Sequence, residues 1–572
     1  MLSLTFATEE ELGYDSTIKR CLNPETDKVC FVYDVGGHYF KTQKAIFDHR
    51  SLCITGRATR VWEAIEVASF DKLQPLCGSR TVVLKDVWLD AESMTEGDIQ
   101  RQIFADLKNL ADALRAGVEP EGFEGMDDKS KKRLQECLLA QHWGRYFLTV
   151  VHEWQGMASK EVAEAAEPDS TIFGAPPVTI KTSSLPHADP SRMSLSRPSD
   201  LLPRKEKTFN RRHCPKQQSR LVFKQVCVAL HDVSKLGNVL TALSSCVFGE
   251  VICSHCATAR VLTGGSALQL MFLAGWVHRD ISSGNLYRFE DDNGEVQGIL
   301  ADLEYAKRFR PLGGKSSSDP KTVSATAYAY SSEAEAGQGT AFFMAIEIQK
   351  QVHLYIPPIP LENLSTIFAG NISESKSPSV MHNFQHDMES IFWILLWTIL
   401  VRFPCDLHSP KERSEFAGIL SEIFQDTSIC NPRREQVFTQ AGTLSDILAT
   451  YLASQLKPLR VAVDVLRRVL VDGYLKRECK FDNMPSYSSL YQYLQKALSI
   501  CQELIQEKSL PDLVPCHSFY LNSGAARAEI ANLPLQVKKR SRNQLGAGGD
   551  DDEYRPPASK KTQGVGENML LL

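Results

Sequence analysis

Apolar positions in this chain fall at helical spacing in some stretches, gather into short runs in others, and thin out in two long tracts. Residues 94–110 place Ile99, Ile103 and Leu107 on one face and predict a helix. Residues 131–155 predict a helix followed by the strand-like YFLTVVHEW. Further helices are predicted over 411–425, 444–472 and 487–507. Residues 391–401 are apolar on every side, which places a helix inside a core. Short strands are expected at 30–33, 37–41 and 220–226, and two more around a turn within 53–67. Runs at 286–289 and 297–300 flank Asn293-Gly294. That dipeptide between apolar runs predicts a hairpin, because both central positions of a type I′ turn need positive φ.

The polar tracts set the expected boundaries. Residues 1–29 are expected to be peripheral, and 30–235 form a first unit leading into an inter-lobe hinge. A Ser-, Pro- and charge-rich insertion at 156–219 has too few large apolar groups to order itself. Residues 236–509 form a second unit, and 510–572 a disordered tail. Within the second unit, 236–244 and 266–275 look like halves of one helix split by 246–265. Two readings fit that segment: a genuine insertion, or a translated intron.

Composition narrows the function classes. The 572 residues are 43% apolar and 23% charged, as in soluble globular proteins. A net charge of −5 provides no global field for nucleic acid, so no direct nucleic-acid partner is expected. The longest apolar run is too short to span a bilayer, and no membrane partner is expected. The N-terminus lacks a signal-peptide pattern. With an odd count of fifteen cysteines, this implies reduced thiols and an intracellular location. A short basic cluster at 538–542 reads equally as a nuclear import signal or a solvated charge run, so cytoplasm and nucleus are both expected. Cys253 and Cys256 form a lone C-x-x-C; a structural zinc site would want a second pair.

Candidate chemistry concentrates at 276–304. Asp280 and Asn285 precede the hairpin, and Asp302 follows it. A loop–hairpin–loop brings these three to one end of two strands. Phosphoryl transfer needs positioning and charge neutralisation more than covalent help. Asp280 suits the acceptance of a proton from an attacking hydroxyl. Asn285 and Asp302 supply oxygen ligands of the kind that hard Mg²⁺ prefers. The spacing matches H-R-D-x-x-x-x-N.

HRDISSGN (278–285), ADLEYAK (301–307), GTAFFMAIE (339–347) and HDMESIFWILLW (386–397) together resemble the fungal-type protein kinase family, a divergent branch of the eukaryotic kinase fold. The resemblance covers most of residues 30–505 and is looser in the first lobe. It implies an α+β, bilobal protein-kinase-like fold, with a small β-rich lobe and a larger helical one. It implies ATP and Mg²⁺ as cofactors and protein substrates as partners. Asp280 would be the base, with Asn285 and Asp302 holding the metal. Val82-Val83-Leu84-Lys85 resembles V-A-I-K, whose lysine reaches the α- and β-phosphates; the bland alternative is a solvated lysine on an edge strand. Glu96 is the candidate partner of Lys85, with Asp98 as fallback. Gly56 and Val61 would cover the nucleotide, although Gly56 alone survives from the glycine-rich pattern. Backbone near Phe223 and Val226 would bind adenine.

The same resemblance gives His278 and Arg279 scaffolding roles and Glu347 the place of the A-P-E glutamate. Asp387 would cap its helix and brace the catalytic loop. Ser282 stands where many Ser/Thr kinases have lysine, and Glu304 replaces the glycine of DFG. The loop 305–338 carries hydroxyl side chains that either accept phosphate and dock on Arg279 or are only a Ser-rich surface. Residues 351–385, with Ile-Pro-Pro-Ile-Pro at 356–360, read as loop, a candidate docking surface.

The favoured reading is transfer of the ATP γ-phosphoryl group to Ser or Thr of a protein. A pseudokinase or ATP-binding scaffold is a rival, favoured by the eroded glycine loop. A small-molecule phosphotransferase is a third reading, opposed by the GTAFFMAIE segment.

Overall fold

A computed structural model describes residues 8, 14–23, 26–48, 57–159, 215–248, 250–253, 260–262, 266–291, 294–309, 340–355, 380–425, 430–477, 483–506 and 508–514. All of these lie in one compact unit. Gly56, most of the loop 305–338, residues 356–360, the core of the expected insertion and the basic cluster at 538–542 lie outside the described residues.

The N-terminal part is an antiparallel sheet of β1 (Ile18–Leu22), β2 (Val29–Val35), β3 (His38–Asp48), β4 (Arg60–Val67), β5 (Val82–Asp90), β6 (Val150–Ala158) and β7 (Lys216–Phe223). Their order is β1-β2-β3-β4-β5-β7-β6. Alternate residues of these strands bury Tyr33, Val35, Phe40, Ala64, Leu84 and Val222 in one cluster. Of the two strands expected within 53–67, the second is β4, and residues 53–56 lie outside the described residues. The partner of β4 is β3, with irregularities at Thr42/Lys44 and Ala45/Phe47. The covering loop therefore joins Asp48 to Arg60.

Arg220 on β7 is fully buried in this sheet. Its guanidinium donates to Asp86 Oδ1 at 3.1 Å, Thr17 Oγ1 at 2.7 Å, Asp34 O at 2.8 Å and Asp15. The rings of Trp154 and Tyr33 lie 4.6 and 5.2 Å from it. A buried cation needs such complete pairing. Burial pushes the Asp86 carboxyl up despite Arg220 beside it.

Those contacts correct three boundaries. The segment 1–29, expected to be peripheral, contributes β1, Asp15 and Thr17 to the sheet. The ends of the expected insertion 156–219 are strand: Ala158 pairs with Gln217 in the β6–β7 ladder. Gln218 is polar yet buried, because its amide donates to Asp86 at 2.9 Å. The expected tail from 510 starts later. The N–H of Leu513 donates to Ser234 O and that of Val514 to Arg402 O.

Helix α1 (Glu96–Arg115) starts at Thr95, which forms a capping box with Asp98. Its stripe of Ile99, Ile103, Leu107 and Ala111 joins the large core of the C-terminal helices. Helix α2 (Asp128–Leu139) follows, capped by Asp127.

Beyond β7 lie β8 (Val228–Ala229), α3 (Leu236–Phe248), β9 (Glu250–Cys253), β10 (Arg260–Leu262), α4 (Ala267–Leu273) and β11 (Trp276–Val277). The segment expected to split a helix thus forms a hairpin. Its β9 extends a sheet containing β8, β12 (Leu286–Glu290) and β13 (Glu295–Leu300). Ser266 bridges the two helices, donating to Val247 O and capping Gln269 N. The short β14 (Lys307–Arg308) pairs with β11.

After two short helical turns at Thr340–Phe343 and Ile346–Lys350 come α5 (Phe384–Trp397), α6 (Pro410–Ile423), α7 (Pro432–Thr439), α8 (Thr443–Tyr451), α9 (Leu459–Lys476) and α10 (Met484–Ile505). Helix α5 is buried on every face, as its pattern implies, and runs into a π turn at Thr398–Arg402. The helix expected over 444–472 is two helices. Extended backbone at Leu452 and Ala453 ends α8, a short 3-10 turn follows at Ser454–Leu456, and Pro458 stands at the N-cap of α9. No described helix is long and apolar enough to cross a membrane.

Truncating Arg220 would leave the buried Asp86 carboxylate with the Gln218 amide and the more distant Arg60, at 4.0 Å, in place of its close counter-ion. Arg220→Ala is expected to lower the unfolding free energy by about 3–5 kcal/mol. Thr17→Val, which removes one neutral partner, should cost about 1 kcal/mol. Denaturant unfolding of the full chain measures both, and equal costs would refute the hub reading.

Candidate active site

Lys85 lies inside β5, paired in register with Val61 of β4 and Leu221 of β7. This central place in the sheet excludes the edge-strand alternative. Its side chain is 10% exposed. The ammonium donates to Glu96 Oε2 at 2.8 Å and to Asp302 Oδ1 at 2.9 Å. Glu304 Oε2 stands 3.8 Å away. Glu96 Oε1 accepts from the Leu303 N–H at 3.2 Å. Glu96 therefore touches both the strand lysine and the backbone after Asp302. Asp98 instead caps α1 and pairs with Arg101. Burial would lower the Lys85 ammonium, but Asp302, Glu96 and Glu304 outweigh it and hold it well above its ordinary value. Asp302 is held low because Lys85 and Arg57 outweigh its burial.

The hairpin β12–β13 sets the second half of the site. Leu286 pairs with Leu300, and the Ala301 N–H donates to Asn285 O at 3.0 Å. Asn285 and Asp302 thus sit at the same end of two strands. The Asn285 amide donates to Asp280 O at 2.9 Å and Asp280 Oδ2 at 3.0 Å. His278 is fully buried. Its Nε2 lies 3.0 Å from Ala301 O, and its Nδ1 accepts from the Asp280 N–H at 3.3 Å. Donation from Nε2 fixes the tautomer.

Arg279 has φ of +73°, a left-handed conformation that strains a non-glycine residue. Asp387 at the start of α5 accepts the N–H groups of His278 at 2.7 Å and Arg279 at 3.0 Å. His382 Nε2 lies 3.1 Å from the same carboxylate. Asp387 is held below its usual range, its partners His382 and His278 outweighing burial. One carboxylate thus fixes the backbone that carries Asp280.

A second anchor lies at Glu347. It is completely buried, receives the Arg477 guanidinium at 2.9 and 3.0 Å and the Leu354 N–H at 2.9 Å, and lies 3.0 Å from His386 Nε2. These partners hold it far below its usual range in spite of burial. Glu389 alongside accepts from the Ile346 N–H, the Trp393 indole and the Tyr474 hydroxyl. Together they tie the end of the 339–347 segment to α5 and α9.

Val61 lies across from Lys85 in the ladder, and Gly56 lies outside the described residues. Phe223 is buried at the end of β7, whereas Val226 is 38% exposed in the link to β8. Phe223 packs with Leu221, Ile299 and Ala301 in a cluster joining β7 to β13.

Sequence reasoning missed Arg57, Arg477, Tyr474, Glu389 and His382. Arg57 carries the sharpest surprise. Its guanidinium pairs with Glu304 and donates to the Tyr305 hydroxyl at 2.7 Å. Burial pushes Glu304 up to about 7, against the pull of Arg57 and Lys85. The chain just before β4 is therefore clasped through Arg57 to the segment after Asp302. Gly-Arg-x-Thr in a loop gives no periodic signal for this.

The model of the fungal protein kinase family matches residues 1–399. The chain belongs to that family. The match spans the Lys85 group, the His278–Arg279 segment that Asp387 braces and the Ile346–Glu347 segment that Glu389 holds. It ends within the π turn after α5, so the remaining helices complete the core outside it. The N-terminal antiparallel sheet and helical C-terminal part of this kinase-family protein form a mixed α and β, kinase-like fold. No curated protein matches the chain. Among solved structures, the ROP18 kinase domain in complex with AMP-PNP and sucrose matches at 10% identity. The match covers 86% of this chain and 88% of that one, with a TM-score of 0.29, too low to support an inference.

The raised Glu304 gives a pH signature. Between its ordinary 4.5 and about 7, the folded chain holds a proton that the unfolded chain has lost. Glu304 therefore costs stability progressively as pH rises through that window. At about 1.4 kcal/mol per tenfold change in proton affinity, the full loss is about 3 kcal/mol. Unfolding free energies of the native chain minus those of Glu304→Gln should fall by that amount from pH 4.5 to 7. A flat difference would show that Arg57 keeps Glu304 ionised.

Proposed function

We propose that this chain is an ATP-dependent protein kinase acting on Ser or Thr hydroxyls of protein substrates, with Mg²⁺ as its metal. The observation that carries this reading is the pair of groups Asp280–Asn285 and Asp302–Lys85–Glu96, set side by side at one end of the β12–β13 hairpin, where the Ala301 N–H donates to Asn285 O. A structural loop has no need to gather a catalytic-type acid, an amide, a second acid and a buried lysine in one place.

The residues fit the implied groups. Asp302 and Asn285 offer oxygen donors of the type Mg²⁺ takes. Lys85, kept charged by its carboxylates, matches the negative charge of nucleotide phosphates. Mg²⁺, when bound, neutralises phosphate charge. Asp280 accepts the proton of the attacking hydroxyl, and its orientation is fixed by Asn285. His278 and Asp387 hold the backbone under Asp280. Glu96 positions Lys85 and, through Leu303 N–H, the turn after Asp302. Backbone near Phe223 and Val226 serves adenine, and the segment ending at Glu347 serves as platform for the substrate. Ser282 supplies no cation, so Lys85 and the metal carry more of the charge that meets the phosphates.

A nucleotide-binding scaffold without transfer is the second reading. It is favoured by Arg57 and Glu304, which crowd the Lys85 ammonium with a contact that an ordinary DFG glycine cannot make.

Transfer of labelled phosphate from ATP, with and without a generic basic protein, separates the two. Native chain with Mg²⁺ is expected to label Ser and Thr, and Asp280→Asn to lose about 10²–10⁴-fold in rate. Nucleotide binding should survive in Asp280→Asn. Binding without transfer by the native chain would establish the scaffold. Labelling that is undiminished in Asp280→Asn would remove Asp280 as the base.

A further inference from the structure

The sheet of β1 to β7 has two ends, and they meet. β6 is last in the order and makes no ladder with β1, β2 or β3 among the described residues. It nevertheless packs against β2. Where strand ends meet without backbone pairing, side chains must hold them. Arg220 does so from within. A different group faces solvent at this junction.

His38, Glu66 and His152 come together there from β3, β4 and β6. His38 Nδ1 lies 2.8 Å from Glu66 Oε1. The His38 and His152 rings have centroids 4.0 Å apart, tilted by 40°. One ligand-type atom from each of the three residues lies within 4.8 Å of the other two. Local irregularities set this up. Gly36 and Gly37, with φ of +64° and +90°, turn β2 sharply into β3 and deliver His38 as its first residue. The β6–β7 ladder slips between Val150 and His152, and such a bulge re-aims the side chain that follows. Phe40, 5.5 Å from the His152 ring, packs against it.

We propose that His38, Glu66 and His152 form a binding site for a transition-metal dication of the zinc class. Two imidazoles and a carboxylate are a borderline N/O donor set suited to Zn²⁺, Ni²⁺ or Cu²⁺ and poorly suited to Mg²⁺ or Ca²⁺. With bonds of about 2.0–2.2 Å, neighbouring ligand atoms in a tetrahedral site lie roughly 3.3 Å apart. Small side-chain rotations from the present spacing reach that geometry. His38 and Glu66 side chains are 48% and 29% exposed, so an ion enters from solvent and keeps water in its open position. The ion would join β6 to β3 and β4, closing the sheet by coordination where it has no ladder. The site shares no residue with the Lys85 group and does not depend on kinase activity.

The test strips the purified full chain with chelator and titrates it with Zn²⁺ and with Co²⁺. The variants are the double substitution His38→Ala/His152→Ala, Glu66→Gln, and His142→Ala as a control for an exposed imidazole. The native chain and the control are expected to bind one equivalent, with a Co²⁺ spectrum lacking a thiolate charge-transfer band and a Zn²⁺-dependent rise in unfolding midpoint. The double variant should lose affinity at least about tenfold and lose the rise. Glu66→Gln should weaken binding less. Should the double variant not fold, His38→Gln alone decides, since His38 is exposed. Unchanged affinity in the histidine variants overturns the proposal. A thiolate band overturns it too, by moving the ion to cysteines, and absence of binding by the native chain ends it.

Discussion

A buried ammonium ion organises this molecule. Lys85 reaches out of a strand in the sheet, Glu96 out of a helix in the large core, and Asp302 out of the hairpin of the C-terminal part. None of the three is affordable alone at that depth, since an unpaired buried charge costs several kcal/mol. Pairing them makes the correct placement of sheet, helix and hairpin a condition of electrostatic neutrality. The Leu303 N–H on Glu96 adds a directional bond to what charge alone would leave loose. Arg57 and Glu304 extend the cluster to two cations and three carboxylates.

Outside that cluster, order spreads through carboxylates that accept backbone N–H groups. Asp387 fixes His278 and Arg279, and Glu389 fixes Ile346. Both acids project from α5, the helix buried on all sides. A helix immersed in apolar packing cannot shift without exposing Trp393 and Trp397 or opening voids. Its polar first turn is therefore a rigid jig. The loop that carries Asp280 and the segment that carries Glu347 are both referenced to it.

What was legible in the sequence follows from distance along the chain. Asp280, Asn285 and Asp302 lie within one hairpin, so a turn signal and apolar runs suffice to predict that they meet. Lys85 was legible through its resemblance to V-A-I-K, and Glu96 through that resemblance together with the helical period of 94–110. Partners far apart left no local trace: Arg477 is 130 residues from Glu347, and Arg57 is 247 residues from Glu304. Polarity misled where burial was compensated. Gln217 and Gln218 looked like a linker because an apolar count cannot see the acceptors waiting for them. Thr17 and Asp15 looked peripheral for the same reason, and extended backbone at Leu452 and Ala453 divides a helix whose period alone runs through them.

The Arg220 hub has a consequence for synthesis on the ribosome. Asp15 and Arg220 are 205 residues apart, and translation at about 5–20 residues per second separates their emergence by about 10–40 s. Throughout that interval β2 to β5 exist without β7, and the acids meant for its guanidinium have no counter-ion. The sheet is thus a late event. Nascent chains of intermediate length expose unpaired strand edges, and the organism that makes this protein must shield them or make them quickly.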